Sequence, residues 1–162
     1  MEIRARIGDW KVDTVVGHKE RGALITWTDR KPRLCRAVKV HDRKADTACK
    51  AMRKTLSSLR AQVHTLTYDN GQEFSYHQAI NRALGSKSDF AHPYHSWERG
   101  TKETMNVLLR QDVPKGRSMA KLSRTHIGNS VGTLQQSRQK CLGDRTPNQV
   151  FKDETQTVAR DN

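Results

Sequence analysis

Residues 66–74 read LTYDNGQEF, and the structure of this stretch distinguishes two possible folds for the chain. Its Asn-Gly pair, flanked by apolar and aromatic residues, is a strong short-range signal for a β-hairpin turn. In the other fold, Asp69 ends a strand of an α/β sheet, at the carboxyl edge where such sheets bind ligands. Apolar residues recur at helical spacing over residues 42–61, and residues 72–85 also read as a helix that ends at a glycine. A strand between two helices is a poor hairpin arm, so the sequence favours the α/β sheet.

Four further stretches have the composition of strands. Residues 10–17 (WKVDTVVG), 22–29 (GALITWTD) and 33–40 (RLCRAVKV) are joined by short connections, which predicts an antiparallel meander. A helix separates the third strand from the fourth, residues 64–69, so the fourth strand can lie parallel to a neighbour. Residues 89–93 (DFAHP) are predicted to form a short fifth strand.

The order of the elements predicts the architecture. Two more helices are predicted, over residues 96–111 and 118–140. The order β-β-β-α-β-α-β-α-α predicts an α/β fold with a mixed five-stranded sheet, in which three antiparallel strands are followed by parallel additions and helices flank the sheet. A chain of 162 residues is expected to form one domain. We expect residues 1–153 to form it and residues 154–162 to be a polar, flexible tail.

The charge of the chain points to a polyanionic partner. Lys and Arg number 30 against 17 Asp and Glu, which gives a net charge of +13. Nucleic acid is favoured over a membrane surface because no basic amphipathic helix with an aromatic face stands out; a solvated basic surface is the alternative. No stretch is long and apolar enough to cross a bilayer, and the first residues lack the apolar core of a signal peptide. The expected location is therefore the cytoplasm.

Three carboxylates are candidates for one site. Asp13 lies inside the first strand, where Asp is disfavoured, and Asp69 ends the fourth. Glu103 lies on the helix that follows the fifth strand. If the first and fourth strands are neighbours, Asp13 and Asp69 lie side by side and the helix can carry Glu103 over them. From spacing alone, Asp13 could instead hold an exposed edge position, and Glu98 competes with Glu103.

Three anions in one site require a counter-charge. Each carboxylate raises the proton affinity of the others, and divalent cations relieve this repulsion. Oxygen ligands suit Mg²⁺ or Mn²⁺. Two such ions about 3.5 to 4 Å apart can activate an attacking oxygen and stabilise the leaving oxygen in a phosphoryl displacement. A basic chain with one acidic cluster is therefore consistent with DNA held by the bases and metal held by the acids.

Five segments carry a family resemblance that covers about residues 6–152: GDWKVDTVVG, TYDNGQEF, PYHSWERGTKETMNVLLRQ, VPKG and KCLGDRTPNQVF. In this order they resemble the catalytic core of bacterial insertion-sequence transposases of the IS-thirty type, in the retroviral-integrase-like DDE group. The resemblance implies a ribonuclease-H-like fold. It also implies that Asp13, Asp69 and Glu103, and not Glu98, are the catalytic residues. In this family the three carboxylates ligate two Mg²⁺ or Mn²⁺ ions, and the enzyme cuts DNA and joins it to a target.

The resemblance implies that the partner is DNA, both as element ends and as target. It also implies a bacterial enzyme that is associated with the nucleoid. Synapsis of two DNA ends is consistent with a homo-oligomer on DNA. In the segment around the glutamate, Trp97, Arg99, Asn106 and Arg110 match the family signature. Basic residues elsewhere could contact phosphates or could be solvated. The predicted DNA-binding residues are Lys31, Arg33, Arg99, Lys102, Asn106, Arg110, Lys115 and Arg117.

The chain departs from the family pattern beside two of the three carboxylates. Where the family reads Trp-Glu-Gly-Asp-Thr, this chain has Lys11 and Val12 before Asp13, and Lys102 replaces an asparagine next to Glu103. These changes leave open a second hypothesis, that the chain is a catalytically decayed or truncated DNA-binding remnant. A third hypothesis is a ribonuclease or other nuclease on the same fold.

Overall fold

The computed structural model describes residues 6–16, 22–68, 71–90 and 123–160. Within these ranges five strands form one sheet. The strands are β1 (Asp9–Val16), β2 (Ala23–Asp29), β3 (Cys35–Val40), β4 (Thr65–Tyr68) and β5 (Lys87–Phe90). Their order across the sheet is β3-β2-β1-β4-β5. The predicted helix over residues 96–111 lies outside the described residues.

The sheet is mixed, as predicted. β1 pairs with β2 and β2 with β3 in antiparallel register, whereas β4 lies parallel to both β1 and β5. Because a tight hairpin joins antiparallel neighbours, the parallel partners of β4 exclude the hairpin alternative for this strand. β5 starts earlier than the predicted strand over residues 89–93, since the Lys87 N–H already donates to the His64 carbonyl at 2.9 Å.

The described ranges contain four α-helices: α1 (Ala45–Leu56), α2 (His77–Leu84), α3 (Arg124–Gln136) and α4 (Pro147–Arg160). α1 is shorter than the predicted helix over residues 42–61 because the chain tightens into a 3-10 helix at Ser57–Gln62. The helix predicted over residues 118–140 is α3, which starts after Ser123, whose Oγ accepts a hydrogen bond from the His126 N–H at 3.1 Å. None of these four helices is long and apolar enough to span a membrane.

Helix α4 has no counterpart in the prediction, and it runs past the expected boundary at residue 153. Its start carries a capping box: the Thr146 N–H donates to Gln149 Oε1 at 3.0 Å, and the Gln149 N–H donates to Thr146 Oγ1 at 3.2 Å. Pro147 follows at the position where helices favour proline. The sequence Thr-Pro-Asn-Gln is therefore the signal that could have revealed this helix. The residues expected to form a flexible tail are helical through Arg160.

Helices pack on both faces of the sheet. Successive residues of a strand point to opposite faces, and Trp10 and Val12 of β1 pack in one apolar cluster with Met52 of α1. A smaller cluster on the other face joins Leu24 of β2 to Ile127 of α3. The sheet therefore separates an α1 face, covered by α1 and α2, from an α3 face.

We expect Trp10→Phe to lower the unfolding free energy by about 2 kcal/mol. Trp10 is fully buried, and its Nε1–H donates to the Gln62 carbonyl at 2.8 Å. Phenylalanine at this position leaves both a void and a carbonyl that has lost its donor. Urea denaturation of the two proteins measures the difference.

Trp27→Phe is the matched control for this prediction. Trp27 is equally buried, but within the described residues its Nε1 has no hydrogen-bond partner. Phenylalanine there removes an unsatisfied donor together with ring volume, so we expect a cost about 1 kcal/mol smaller than at Trp10. Equal losses at the two positions would contradict a stabilising role for the hydrogen bond to Gln62.

Candidate active site

Asp13 lies in the middle of β1, opposite Thr26 of β2. Its side chain alternates with that of Val12, so it points to the α3 face. Asp13 is only 7% exposed, and its carbonyl accepts a hydrogen bond from Thr26 Oγ1 at 3.4 Å. Because β1 has a paired strand on each side, the exposed edge position that the sequence left open is excluded.

Lys11 supplies a positive charge beside the Asp13 carboxylate. The two side chains lie on the same face of β1, and Lys11 Nζ is 3.8 Å from Asp13 Oδ2. Both are largely buried, with side-chain exposures of 14% for Lys11 and 10% for Asp13. A buried carboxylate is costly without a counter-charge. This ammonium provides one, at the position where the resemblance leads us to expect an acid.

The parallel pairing of β1 with β4 places the carboxyl end of β4 beside the middle of β1. Val12 lies opposite Tyr68 in this register. The first and fourth strands are therefore neighbours, which is the condition on which the predicted carboxylate site depends. Asp13 is the next residue of β1. Asp69, which follows Tyr68 in the sequence, and Glu103 lie outside the described residues.

An ion pair between an exposed arginine and a buried glutamate lies just after β4. Arg43 Nη2 is 3.6 Å from Oε1 of the buried Glu73 and ties this turn to the segment before α1. A Cβ on Gly71 would lie 2.7 Å from Glu73 Cδ. The φ of Gly71 is −71°, which other residues also adopt, so the backbone does not require a glycine here. The close approach of the Glu73 side chain explains the glycine instead. The pair has no local sequence signal, because its members lie far apart along the chain.

Lys31 and Arg33, two of the predicted DNA-binding residues, lie at the β2–β3 turn. Lys31 is held in an ion pair with Glu154 of α4 at 2.9 Å, and Arg33 has a positive φ of 56°. Because β2 runs antiparallel to β1, this turn lies beside the amino-terminal end of β1, away from Asp13. The structure therefore does not bring Lys31 and Arg33 to the Asp13 site. The other predicted DNA-binding residues lie outside the described ranges: Arg99, Lys102, Asn106, Arg110, Lys115 and Arg117.

Asp29 is a third buried carboxylate, at the end of β2. Its Oδ2 accepts a hydrogen bond from the Gly8 N–H at 2.8 Å, and its Oδ1 accepts one from the Lys31 N–H at 3.1 Å. Burial outweighs these two donors and raises the pKa of Asp29 from 3.8 to about 7. The carboxyl ties the chain before β1 to the β2–β3 turn, so its role is structural.

The part of the chain that the structure describes does not contain a complete metal cluster. No group of three or more His, Cys, Asp or Glu side chains there could hold a metal ion. Of the three predicted ligands, Asp13 is the one that this part includes. The geometry of the full carboxylate set stays a prediction.

Known proteins with similar sequences are integrase cores and transposases. A family model described as "Integrase core domain" matches residues 4–96. The transposase for insertion sequence element IS4351 of Bacteroides fragilis is 36% identical over 152 residues, which cover 94% of this chain and 47% of that protein. Transposase InsI for insertion sequence element IS30A of Escherichia coli (strain K12) is 29% identical over 153 residues, which cover 94% of this chain and 40% of that protein. The chain spans less than half the length of these relatives.

The fold is similar to that of a retroviral integrase core. The crystal structure of the catalytic core domain of BIV integrase aligns with a TM-score of 0.70 at 17% identity, covering 93% of this chain and 97% of that chain. The predicted ribonuclease-H-like fold is therefore confirmed, as is the resemblance to IS-thirty-type transposases. Since the family match covers more than half of the sequence, the chain belongs to the integrase core domain family.

Proposed function

We propose that the chain is the catalytic core of a DNA transposase, which cuts DNA and transfers the cut strand to a target by metal-dependent phosphoryl transfer. The observation that carries this proposal is the parallel register of β1 and β4, in which Val12 lies opposite Tyr68. Asp13 and Asp69 are the residues that follow these two positions in the sequence. This register favours a close approach of the two residues beside the carboxyl end of β4, and α/β proteins bind their ligands at such strand ends.

Asp13 suits a divalent ion in donor type and in position. Its carboxylate oxygens are the hard ligands that Mg²⁺ and Mn²⁺ prefer. It also lies on a central strand that is paired on both sides, and such a strand holds a ligand firmly in place. Asp69 and Glu103 complete the proposed set of ligands. When bound, two such ions activate the attacking oxygen and stabilise the leaving oxygen.

DNA is the proposed substrate, both as element end and as target. The net charge of +13 attracts a phosphate polymer and raises its rate of association. The similar proteins named above are transposases. Their names favour strand transfer on DNA over a ribonuclease activity on the same fold.

Divalent-ion-dependent cleavage of a labelled DNA duplex by the purified chain tests this proposal. At low salt, with Mg²⁺ and Mn²⁺ supplied separately, we expect nicked products that EDTA abolishes. An RNA–DNA hybrid of the same sequence is the control for the ribonuclease alternative, which predicts preferred cleavage of the RNA strand. A chain that binds the duplex but cleaves it with neither metal would contradict the proposal.

A non-catalytic DNA-binding remnant is the second candidate, and the Lys11–Asp13 pair favours it. The ammonium lies 3.8 Å from the carboxylate oxygen, so it neutralises negative charge that a divalent ion needs. A metal ion that binds Asp13 must do so against this positive charge. The pair therefore lowers the affinity of the proposed site for metal.

We expect Lys11→Gln to tighten Mn²⁺ binding about tenfold, which corresponds to about 1.4 kcal/mol. The substitution removes the positive charge beside the Asp13 carboxylate and leaves a neutral polar side chain that is one atom shorter. Titration calorimetry with Mn²⁺ in the absence of DNA measures the affinity, so the readout does not depend on cleavage.

Lys152→Gln is the matched control for Lys11→Gln, because it is the same substitution at an exposed position on α4. It should leave the Mn²⁺ affinity unchanged. If Lys11→Gln also leaves the affinity unchanged, the Lys11 ammonium does not oppose metal binding and the second candidate loses its main support.

A further inference from the structure

A basic groove lies between α1 and α2, on the α1 face of the sheet. Its volume is about 470 Å³. Ser57 and the apolar residues Ala83 and Leu84 form part of its wall. Its cationic lining residues are Lys50, Arg53, Lys54 and Arg60, and none of the described residues that line it is acidic. We call this feature the α1–α2 groove.

Most of the positive charge in the α1–α2 groove is not neutralised by acids of the described chain. Lys50 Nζ pairs with Asp46 Oδ2 at 2.8 Å. Across residues 6–16, 22–68, 71–90 and 123–160, no ion pair joins Arg53, Lys54 or Arg60 to a carboxylate. Like charges that lie close together repel, and a bound anion relieves this repulsion.

The spacing of these cations fits a row of phosphates better than a single anion. Lys50, Arg53 and Lys54 follow one another at i, i+3 and i+4, so they share one face of α1. Arg60 extends the row into the 3-10 helix that follows. At a rise of about 1.5 Å per residue the row is roughly 15 Å long. Successive phosphates of one DNA strand are about 3.4 Å apart along the helix axis, so several of them can face it.

The positive surface continues across α1. A second cavity, of about 640 Å³, lies between α1, β3 and α3, and Lys54 lines both cavities. The second cavity adds Arg36, Lys39 and Arg124, and its described lining residues also include no acid. A nucleic acid in the α1–α2 groove therefore has further positive surface beside it.

We propose that the α1–α2 groove binds the phosphate backbone of DNA without reading its sequence. The inference rests on the proposed function in taking DNA as the polyanion. α1 packs over Trp10 and Val12, whereas the Asp13 side chain points to the α3 face. The sheet therefore lies between the groove and Asp13, and the groove holds a segment of DNA other than the one that meets the carboxylates. Contacts to phosphates set the position of DNA and carry no sequence information.

Fluorescence anisotropy of a labelled duplex of about 20 base pairs, in EDTA and over a series of NaCl concentrations, tests the proposal. The variant carries R53Q, K54Q and R60Q in the full chain. Each phosphate contact contributes about 0.9 to the slope of log K against log salt, so we expect the slope to fall by about 2 to 3. We also expect the affinity at low salt to fall at least about tenfold.

The matched control carries R138Q, K152Q and R160Q. It removes the same total charge from exposed positions that line neither cavity. We expect the control to change the slope by less than about 1. Equal losses in the two variants would overturn the proposal, because net charge and not the groove would then explain the binding. Circular dichroism of both variants shows whether the fold is retained.

The outcome separates this inference from the proposed function, because binding in EDTA does not require cleavage. If DNA binding depends on the groove but the chain cleaves DNA with neither metal, the proposed function is contradicted and the groove proposal is supported. If the chain cleaves DNA, and the groove variant binds DNA as tightly as the control variant does, only the groove proposal is overturned.

Discussion

Asp13→Asn should lower metal-dependent DNA cleavage at least about a thousand-fold, a loss of roughly 4 kcal/mol in transition-state stabilisation. Asparagine keeps the size of the side chain but removes its negative charge and one anionic oxygen. The backbone pairing of β1 with β2 and β4 does not involve the carboxylate, so the strand stays in place. The initial rate of nicking of a labelled duplex in Mn²⁺ measures the effect.

Asp9→Asn is the matched control, because it is the same substitution on the same face of the same strand. Asp9 accepts hydrogen bonds from Arg6 and from Thr65 Oγ1 at the start of β1, away from Asp13. We expect the Asp9→Asn protein to cleave DNA at close to the rate of the unaltered chain. Asp13→Asn should still bind DNA in EDTA, which separates a loss of chemistry from a loss of folding. Cleavage at the unaltered rate by Asp13→Asn would remove Asp13 from the proposed mechanism.

Asp29 should make the unfolding free energy fall as the pH rises from about 5 to 8. Burial raises the pKa of this carboxyl from 3.8 to about 7. Between these two values the folded chain keeps a proton that the unfolded chain has released, so protonation favours the folded state. The contribution is complete below the ordinary pKa and is lost as the pH passes the raised one. Linkage converts this into about 3 kcal/mol between about pH 5 and 8.

Asp29→Asn isolates this contribution, because asparagine is uncharged at every pH. The unfolding free energy of the unaltered chain minus that of the variant should fall by the same amount over this range. Urea denaturation at each pH measures both values, and Asp144→Asn is the same substitution at an exposed position. A difference between the unaltered chain and Asp29→Asn that stays constant with pH would show that the buried carboxyl is ionised throughout.

Most of the fold can be predicted from the sequence because its elements carry local signals. The alternation of apolar residues in β1 is typical of strands, since a period of two places one side of a strand against a core. The helical stretch before residue 64 is what allows β4 to lie parallel to β1. α4 is less apparent because its sequence is mostly polar, and the capping residues Thr146 and Gln149 are its clearest local signal.

The sequence also determines which residue types are available to the candidate site. An aspartate inside a strand and another at a strand end are visible in the order of residues, and the family resemblance adds Glu103. The register that sets Val12 opposite Tyr68 depends on strand pairing between distant parts of the chain, so only the tertiary structure decides it. The same holds for Lys11, since the position of its Nζ beside Asp13 depends on both side chains.

By itself the sequence of this protein determined its net charge, its mixed α/β sheet and the carboxylates at its strands, because these follow from composition and local periodicity. The helical spacing of Lys50, Arg53 and Lys54 also predicts a charged face of α1. That face becomes one wall of a groove only because α2 packs beside α1. Packing between distant elements decided this groove, the buried state of Asp29 and the pairing of Lys11 with Asp13, since each depends on neighbours that no local pattern specifies.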